Sequence, residues 1–249
     1  ADVIDNHLAW PVKPAHEAKL RLNYDYLLGQ ADAVFSNCQP VHDAMLEFAN
    51  AVHIVPNGAE MFPPEHSFPK PEHYKRMKGP VVGYVGNLRD RVRFDLIAAM
   101  AEQNPDWNIV LIGSAHGNQT ALTLRRYPNV NLAGVVPYEE ALNHIASFDV
   151  AIIPHEVGKL TESMNPLKLY VYSAVGVPVV STPVPNMDDL KDTIYVAETD
   201  ESFIPMVRQA MADRASGKTK RVPAAAMREF SWEKRVEDIF AVLEAASRG

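Results

Sequence analysis

A chain of 249 residues with 47% hydrophobic content can bury a full core without staples, and its formal net charge of −7 argues against a general nucleic-acid binder, because phosphate backbones recruit basic surfaces. The single cysteine, Cys38, excludes an internal disulfide framework and a thiolate metal cluster, and reads as a small buried hydrophobe. No apolar run approaches the ~20 residues of a membrane span. No signal peptide is visible, and the opening at Ala1 suggests trimming or a fragment, so a reducing, cytoplasmic setting is expected.

Short apolar runs alternate with helix-period segments, the pattern of a parallel sheet covered on both faces. In chain order, the expectations begin with a helix over about Ala15–Gly29, a strand over Ala33–Ser36, a second helix, and a strand over Val52–Val55 that ends at Pro56-Asn57-Gly58. Residues 1–60 are too little for an independent Rossmann domain and look like the closing portion of one. The segment 61–78 holds Pro63, Pro64, Pro69 and Pro71 among several charges and reads as a linker.

Strands are then expected over Pro80–Val85, Asn108–Ile112, Val130–Leu132, Asp149–Pro154, Val177–Ser181 and Ile194–Ala197, with helices such as Phe94–Gln103, Tyr138–Ser147 and Leu167–Val175 between them. With right-handed crossovers, residues 79–215 make a Rossmann-like, doubly wound parallel α/β sheet. The fold class is therefore α/β, with a partial second α/β unit ahead of the main one. Residues 216–249 supply a basic loop and a final helix capped by Ser231. In that helix Trp232, Val236, Ile239, Phe240 and Leu243 fall at helical spacing, so it should dock on something apolar.

Two places stand out as seats for an anion. At Met164-Asn165-Pro166-Leu167-Lys168 a favoured N-cap precedes a proline suited to the first helical position. Such a helix start offers bare N–H groups and a partial positive charge, and Lys168 adds a full one. The plain alternative is a well-capped structural helix with a solvated lysine. The other place is Gly83-Tyr84-Val85-Gly86-Asn87-Leu88, a strand end where small residues permit close ligand approach, followed at once by Arg89, Arg91 and Arg93. Here the alternative is a basic turn that offsets Asp90 and Asp95. The glycines at 83 and 86 lack the GxGxxG order, which speaks against a nicotinamide cofactor.

Gly113, Gly134 and the Pro154-His155-Glu156 turn each follow a strand on the same side of the sheet and should share one cleft. Metal-ligand spacing, the nucleophile elbow and the P-loop are all missing, so hydrolase, metalloenzyme and nucleoside-triphosphatase readings find little support. His155 and Glu156 are adjacent in a loop and fit a structural or binding role better than an acid–base pair.

Taken together, these segments resemble the family-4-like glycosyltransferases of the two-Rossmann-domain (GT-B) class, in the branch used for bacterial cell-surface polysaccharides. Gln30-Ala31-Asp32-Ala33-Val34-Phe35-Ser36-Asn37 and Val55-Pro56-Asn57-Gly58-Ala59 look like the end of the acceptor domain and its hinge, and Gly83-Tyr84-Val85-Gly86 like the first donor-domain strand. The most specific match is Asn165-Pro166-Leu167-Lys168-Leu169-Tyr170 with Gly176-Val177-Pro178-Val179-Val180-Ser181-Thr182, and Phe230-Ser231-Trp232 resembles the entry to the terminal helix.

The resemblance implies transfer of a sugar, with retention and without a bound metal or other cofactor, from a nucleotide-diphosphate sugar to a glycan or lipid-linked acceptor. It places donor binding on Gly86, Asn87, Arg91, Val136, His155, Asn165, Pro166, Leu167 and Lys168. By position Arg91 looks like the diphosphate contact, with Arg89 and Arg93 close enough to compete, and Val135 and Val136 lie where backbone meets the nucleobase. No catalytic residue is assigned; Asp5, Asn6 and His7 stand near where a late acceptor-domain residue would fall. A lipid-linked acceptor also implies peripheral contact with the inner membrane or with a partner protein.

Two departures qualify the match. The family's paired glutamates would fall near Ser163 and Val171, and valine cannot accept hydrogen bonds from ribose hydroxyls. Glu162 reaches the first position by a register shift; nothing nearby replaces the second. Most of the acceptor domain is also missing from this length of chain. The competing expectation is a catalytically impaired nucleotide-binding or partner subunit derived from such a transferase, while a nucleotide-sugar epimerase shares the architecture but none of the motifs.

Overall fold

The computed structural model describes residues 1–10, 13–63, 65–159 and 161–247. Two parallel sheets organise them. In the first, β1 (Asp2–Val3) pairs with β2 (Phe35–Ser36), which pairs with β3 (His53–Ile54). Helix α1 (Pro14–Leu28) joins β1 to β2, and α2 (Gln39–Met45) joins β2 to β3. Val3, Leu28, Val34, Val41, Met45, Val52 and Cys38 form the small core of this unit, so the cysteine is the buried hydrophobe expected of it. Each strand is only two residues long, and β1 escapes sequence reading because its partner lies more than thirty positions away.

The larger sheet follows with β4 (Val81–Val85), α3 (Phe94–Gln103), β5 (Asn108–Ile112), α4 (Gln119–Thr123), β6 (Val130–Gly134), α5 (Tyr138–Ala146), β7 (Val150–Ile153), α6 (Leu167–Val175), β8 (Val179–Ser181), β9 (Tyr195–Val196) and α7 (Asp200–Ala215). All six strands are parallel, in the order β6-β5-β4-β7-β8-β9. Counted from β4 this is 3-2-1-4-5-6, the doubly wound dinucleotide-fold order, and β4 sits where the winding reverses. Strand residues alternate between two cores. Val82, Tyr84, Ile109, Leu111 and Ile152 face α3 and α7, whereas Val81, Val110, Ile112 and Ile153 face α5 and α6. Gly83 is required within β4 because a Cβ there would lie 2.1 Å from the Phe148 ring.

Among its described residues the segment 61–78 has neither strand nor α-helix, yet it is packed on the larger unit. Met61, Phe62, Phe68 and Met77 lie on the α5–α6 core, and buried Tyr74 hydrogen-bonds His144 Nδ1 through its hydroxyl at 2.7 Å. The terminal helix α8 (Trp232–Ala246) is capped by Ser231 as expected, the hydroxyl accepting from Lys234 N. Its docked face differs in part from the expected one. Arg235 is buried, whereas Trp232, Val236 and Phe240 are exposed. Polar bonds to the segment after β3 hold the helix start: Ala59 N donates to Phe230 O, Trp232 N to Ala59 O, and Arg235 Nε to Asn57 O. No described helix is long and apolar enough to cross a membrane.

Candidate functional site

The site begins where β4, β5 and β6 end together. Gly86 N donates to Ile112 O at 2.8 Å and Gly113 N to Gly134 O at 2.7 Å, so three strand ends are tied side by side. At Gly113 a Cβ would lie 1.9 Å from the Gly86 carbonyl oxygen, and φ is +140°. Only glycine lets the loop after β4 lie this close to the loop after β5. Leu88 N then donates to Ser114 O, while Asn87 is exposed at the rim.

Helix α6 reaches the same edge from the other side of the sheet. Its start departs from expectation in one respect. Pro166 is the N-cap and Leu167 the first helical residue, and the Asn165 side chain does not cap. Instead Asn165 Oδ1 accepts from Asn57 N at 2.7 Å, and its Nδ2 donates to Tyr170 Oη and Asn186 O. The amide of Asn165 is thus consumed by structure and has nothing left for a ligand. Tyr172, one turn into α6, accepts from Val85 N through its hydroxyl at 2.8 Å, fastening the helix to the end of β4.

Lys168 is the result of that fastening. Its Cε would meet a Gly86 Cβ at 3.3 Å, and its ammonium lies 5.4 Å from the centroid of the Tyr84 ring. The two anion seats expected separately therefore converge on one spot. Arg91 joins them: its Nη1 contacts Met164 Sδ at 2.8 Å, just ahead of α6. Burial first, and Arg91 second, push the Lys168 ammonium down to about 8. His155 is fully buried between β7 and this cluster, with Nε2 3.3 Å from Tyr84 Oη. Burial, then Lys168 and Arg91, push its imidazole down to about 2, so it stands neutral at physiological pH. Its Nδ1 is buried without a partner. Among the described residues neither Arg91 nor Lys168 forms an ion pair. Two cations that repel each other thus stand together at the reversal point of the sheet, with no described carboxylate paired to either.

The other arginines are not equivalent. Arg93 is committed to Asp95 and Asp200 at 2.6 Å each and lies 3.5 Å from Glu156, and Arg89 is exposed beyond the turn. Glu156 faces solvent, away from any pairing with His155. Val136 packs partly on the α5–α6 core beyond Gly134, while Val135 and Leu167 are exposed at the rim. Val171 packs on that core too, so no carboxylate stands in its place. Asn6 caps the short turn His7–Ala9, and His7 meets Trp10 edge to face, so both serve local structure. Tyr172 and Asn186 were not singled out from sequence, and Tyr84 and Asn57 stood out only within the segments at the end of β4 and after β3, with no role of their own.

Residues 79–213 match the family model described as glycosyl transferases group 1, more than half of the chain. The chain belongs to that family. A Bacillus subtilis (strain 168) protein, TuaH, named for glycosyl transfer in teichuronic acid biosynthesis, is 27% identical over 199 residues, covering 77% of this chain and 50% of the relative. The chain thus spans about half the length of the curated relative it matches. Among solved structures, the sucrose-phosphate synthase (tll1590) from Thermosynechococcus elongatus superposes with a TM-score of 0.66 at 17% identity, over 98% of this chain and 67% of that one. Anabaena Alr3699/HepE, in complex with UDP and glucose, superposes with a TM-score of 0.67 at 15% identity, over 94% and 69%. These likenesses show that the fold of the two parallel α/β sheets is shared with these structures.

Proposed function

We propose that the edge formed by Gly86, Arg91, His155 and Lys168 holds the diphosphate of a nucleotide-sugar donor. The chain is then the donor-binding portion of a transferase that passes the sugar to a glycan or lipid-linked acceptor in polysaccharide synthesis. One observation carries this reading: the paired but uncompensated cations Lys168 and Arg91 beside the start of α6, at the reversal of strand order. A diphosphate supplies the missing charge, and the N–H groups of the first turn of α6 supply hydrogen bonds. The solved neighbour with UDP and glucose lends the nucleotide-sugar class.

In this reading the bond that breaks joins the anomeric carbon to the β-phosphate oxygen, and negative charge grows on the departing diphosphate. Lys168 and Arg91 stabilise that charge where water is partly excluded. They act without a resident cofactor, and the donor is consumed as substrate. His155, neutral and buried, shapes the floor rather than moving a proton. The proposed location is the cytoplasm, with peripheral contact at the inner membrane in the case of a lipid-linked acceptor.

Val171 favours a second reading, a nucleotide-binding partner subunit with weakened ribose recognition. Calorimetric titration separates the outcomes. Uridine or guanosine diphosphate should bind about tenfold or more tightly than the matching monophosphate, since each charge-assisted contact adds roughly 1.5–3 kcal/mol. Equal affinity for mono- and diphosphates, or no binding by either, removes the donor assignment.

A further inference from the structure

A closed circuit of polar contacts surrounds the approach to α6. Asn57 N donates to Asn165 Oδ1 and Asn57 Nδ2 to Asn165 O, both at 2.7 Å. Asn165 Nδ2 donates to Tyr170 Oη at 2.9 Å, and Tyr170 Oη donates to Asp189 Oδ2 at 2.8 Å. Asp189 faces Arg235 at 3.9 Å, and Arg235 Nε returns to Asn57 O at 3.2 Å. Asn186 braces the inside of the circuit. It is held at φ +60°, uncommon for a side-chain-bearing residue, so that Nδ2 reaches Glu162 O and Met164 O while its own carbonyl accepts from Asn165. The circuit joins four separate pieces of chain: the segment after β3, the approach to α6, the loop after β8, and α8.

Its position matters because Asn165 is three residues before Lys168, and the segment it pins carries Met164, the contact of Arg91. Besides Asn186, Tyr170 and the Arg91 contact, the pinned segment has no capping bond of its own. Pro166 lacks an N–H, and no side chain caps the helix. Both bonds from Asn57 therefore act where local structure supplies no cap. They reach across 108 positions from a different sheet unit. Asn165 is buried and Asn57 half-buried, so a lost partner leaves the Asn165 amide largely desolvated.

We infer that Asn57 and Arg235 are positioning residues for the anion seat, holding Lys168 and Arg91 over Gly86 only while the segment after β3 and α8 are docked on the larger unit. Occupancy of the diphosphate seat and docking of these two segments are then one coupled equilibrium, and each must strengthen the other by the same factor. This rests on the donor reading of the Lys168 site, and it assigns to remote residues a share of donor affinity that contact with the ligand cannot explain.

The test is a cycle of uridine diphosphate affinities on the full chain, measured well below the melting temperature of every variant. Wild type is read first: absence of binding there overturns the donor reading itself, not the circuit. Given binding, Asn57→Ala and Arg235→Gln are each expected to weaken affinity about tenfold, within the range of long-range coupling. Arg235→Lys, which keeps a donor near Asn57 O, should recover part of the loss. In a Lys168→Ala background the Asn57→Ala effect should shrink to the part that acts through Arg91, because the circuit positions both cations. The pH at which affinity begins to fall should also move up from about 8 in Asn57→Ala, as Lys168 becomes more solvated. A purely structural role lowers the melting temperature and moves none of these. Unchanged affinity and an unchanged pH profile in folded Arg235→Gln overturn the inference even if Asn57→Ala fails to fold.

Discussion

Gly113→Ala is expected to lower the melting temperature by about 5–15 °C and to abolish nucleotide-diphosphate binding. The reason is geometric. The new Cβ would stand 1.9 Å from the Gly86 carbonyl oxygen, against a contact limit near 3 Å, in a backbone conformation of φ +140°. Neither neighbour is the free end of a flexible side chain. Gly86 is fixed by its bond to Ile112 O, and Gly113 by its bond to Gly134 O. Overpacking and backbone strain each cost roughly 1–3 kcal/mol, and about 1 kcal/mol shifts the melting point of a chain this size by about 2–4 °C. Gly134→Ala is the matched control. It sits on the same edge with φ +78° but has nothing within 4 Å, so it carries only the conformational cost, about 1 kcal/mol. Calorimetric melts of the two variants, each with and without uridine diphosphate, check both halves. Equal melting points would show that the loops after β4 and β5 are not in contact.

The second large effect is expected at Lys168. Replacing it by alanine should weaken diphosphate binding about 10- to 100-fold, the equivalent of losing one charge-assisted contact of roughly 1.5–3 kcal/mol. The pH dependence is the sharper signature. Burial beside Arg91 pushes the ammonium down from 10.5 to about 8, so the free protein loses that charge as pH rises through 8. A bound diphosphate favours the charged form and raises the value again, so above pH 8 binding must be accompanied by proton uptake. Wild-type affinity should therefore hold steady below pH 8 and fall by up to about tenfold per unit above it. Lys168→Ala should show no inflection there, and Lys168→Arg, charged throughout, should stay flat to higher pH. Titrations from pH 7 to 10 in a constant-ionic-strength buffer read all three.

Much of the larger sheet was legible because β4, β5, β7 and β8 are short, largely apolar runs with a glycine or proline at one end or both. Asn108–Ile112, Phe94–Gln103 and Leu167–Val175 match residue for residue. The two-residue strands of the smaller sheet were bounded less well, since their extent depends on pairing rather than on local pattern. Asn165 shows where local rules mislead. An asparagine two positions before a helix satisfies every capping preference, but its buried amide is worth more as a partner for Asn57, which no window of sequence connects to it. The stripe Trp232, Val236, Ile239, Phe240 and Leu243 misleads in part, since Trp232, Val236 and Phe240 are exposed while Ile239 and Leu243 are half-buried. Its periodicity marks an amphipathic helix correctly, but α8 is held to the chain by Arg235 and backbone bonds on another face. At the candidate site, Lys168 and Gly86 were singled out from helix-end and glycine chemistry and Arg91 from its position in the family pattern, with Arg89 and Arg93 as competitors. Only the fold shows Asp95 and Asp200 gripping Arg93.

Everything functional here depends on an anion being gripped between the loop after β4 and the start of α6. A crystal structure of the chain with uridine diphosphate tests this most directly. The diphosphate oxygens should lie about 3 Å from Lys168 Nζ and within reach of Arg91 and the Gly86 backbone. A nucleotide seated away from that edge, or one whose phosphates point to solvent with Lys168 still unpaired, would contradict it.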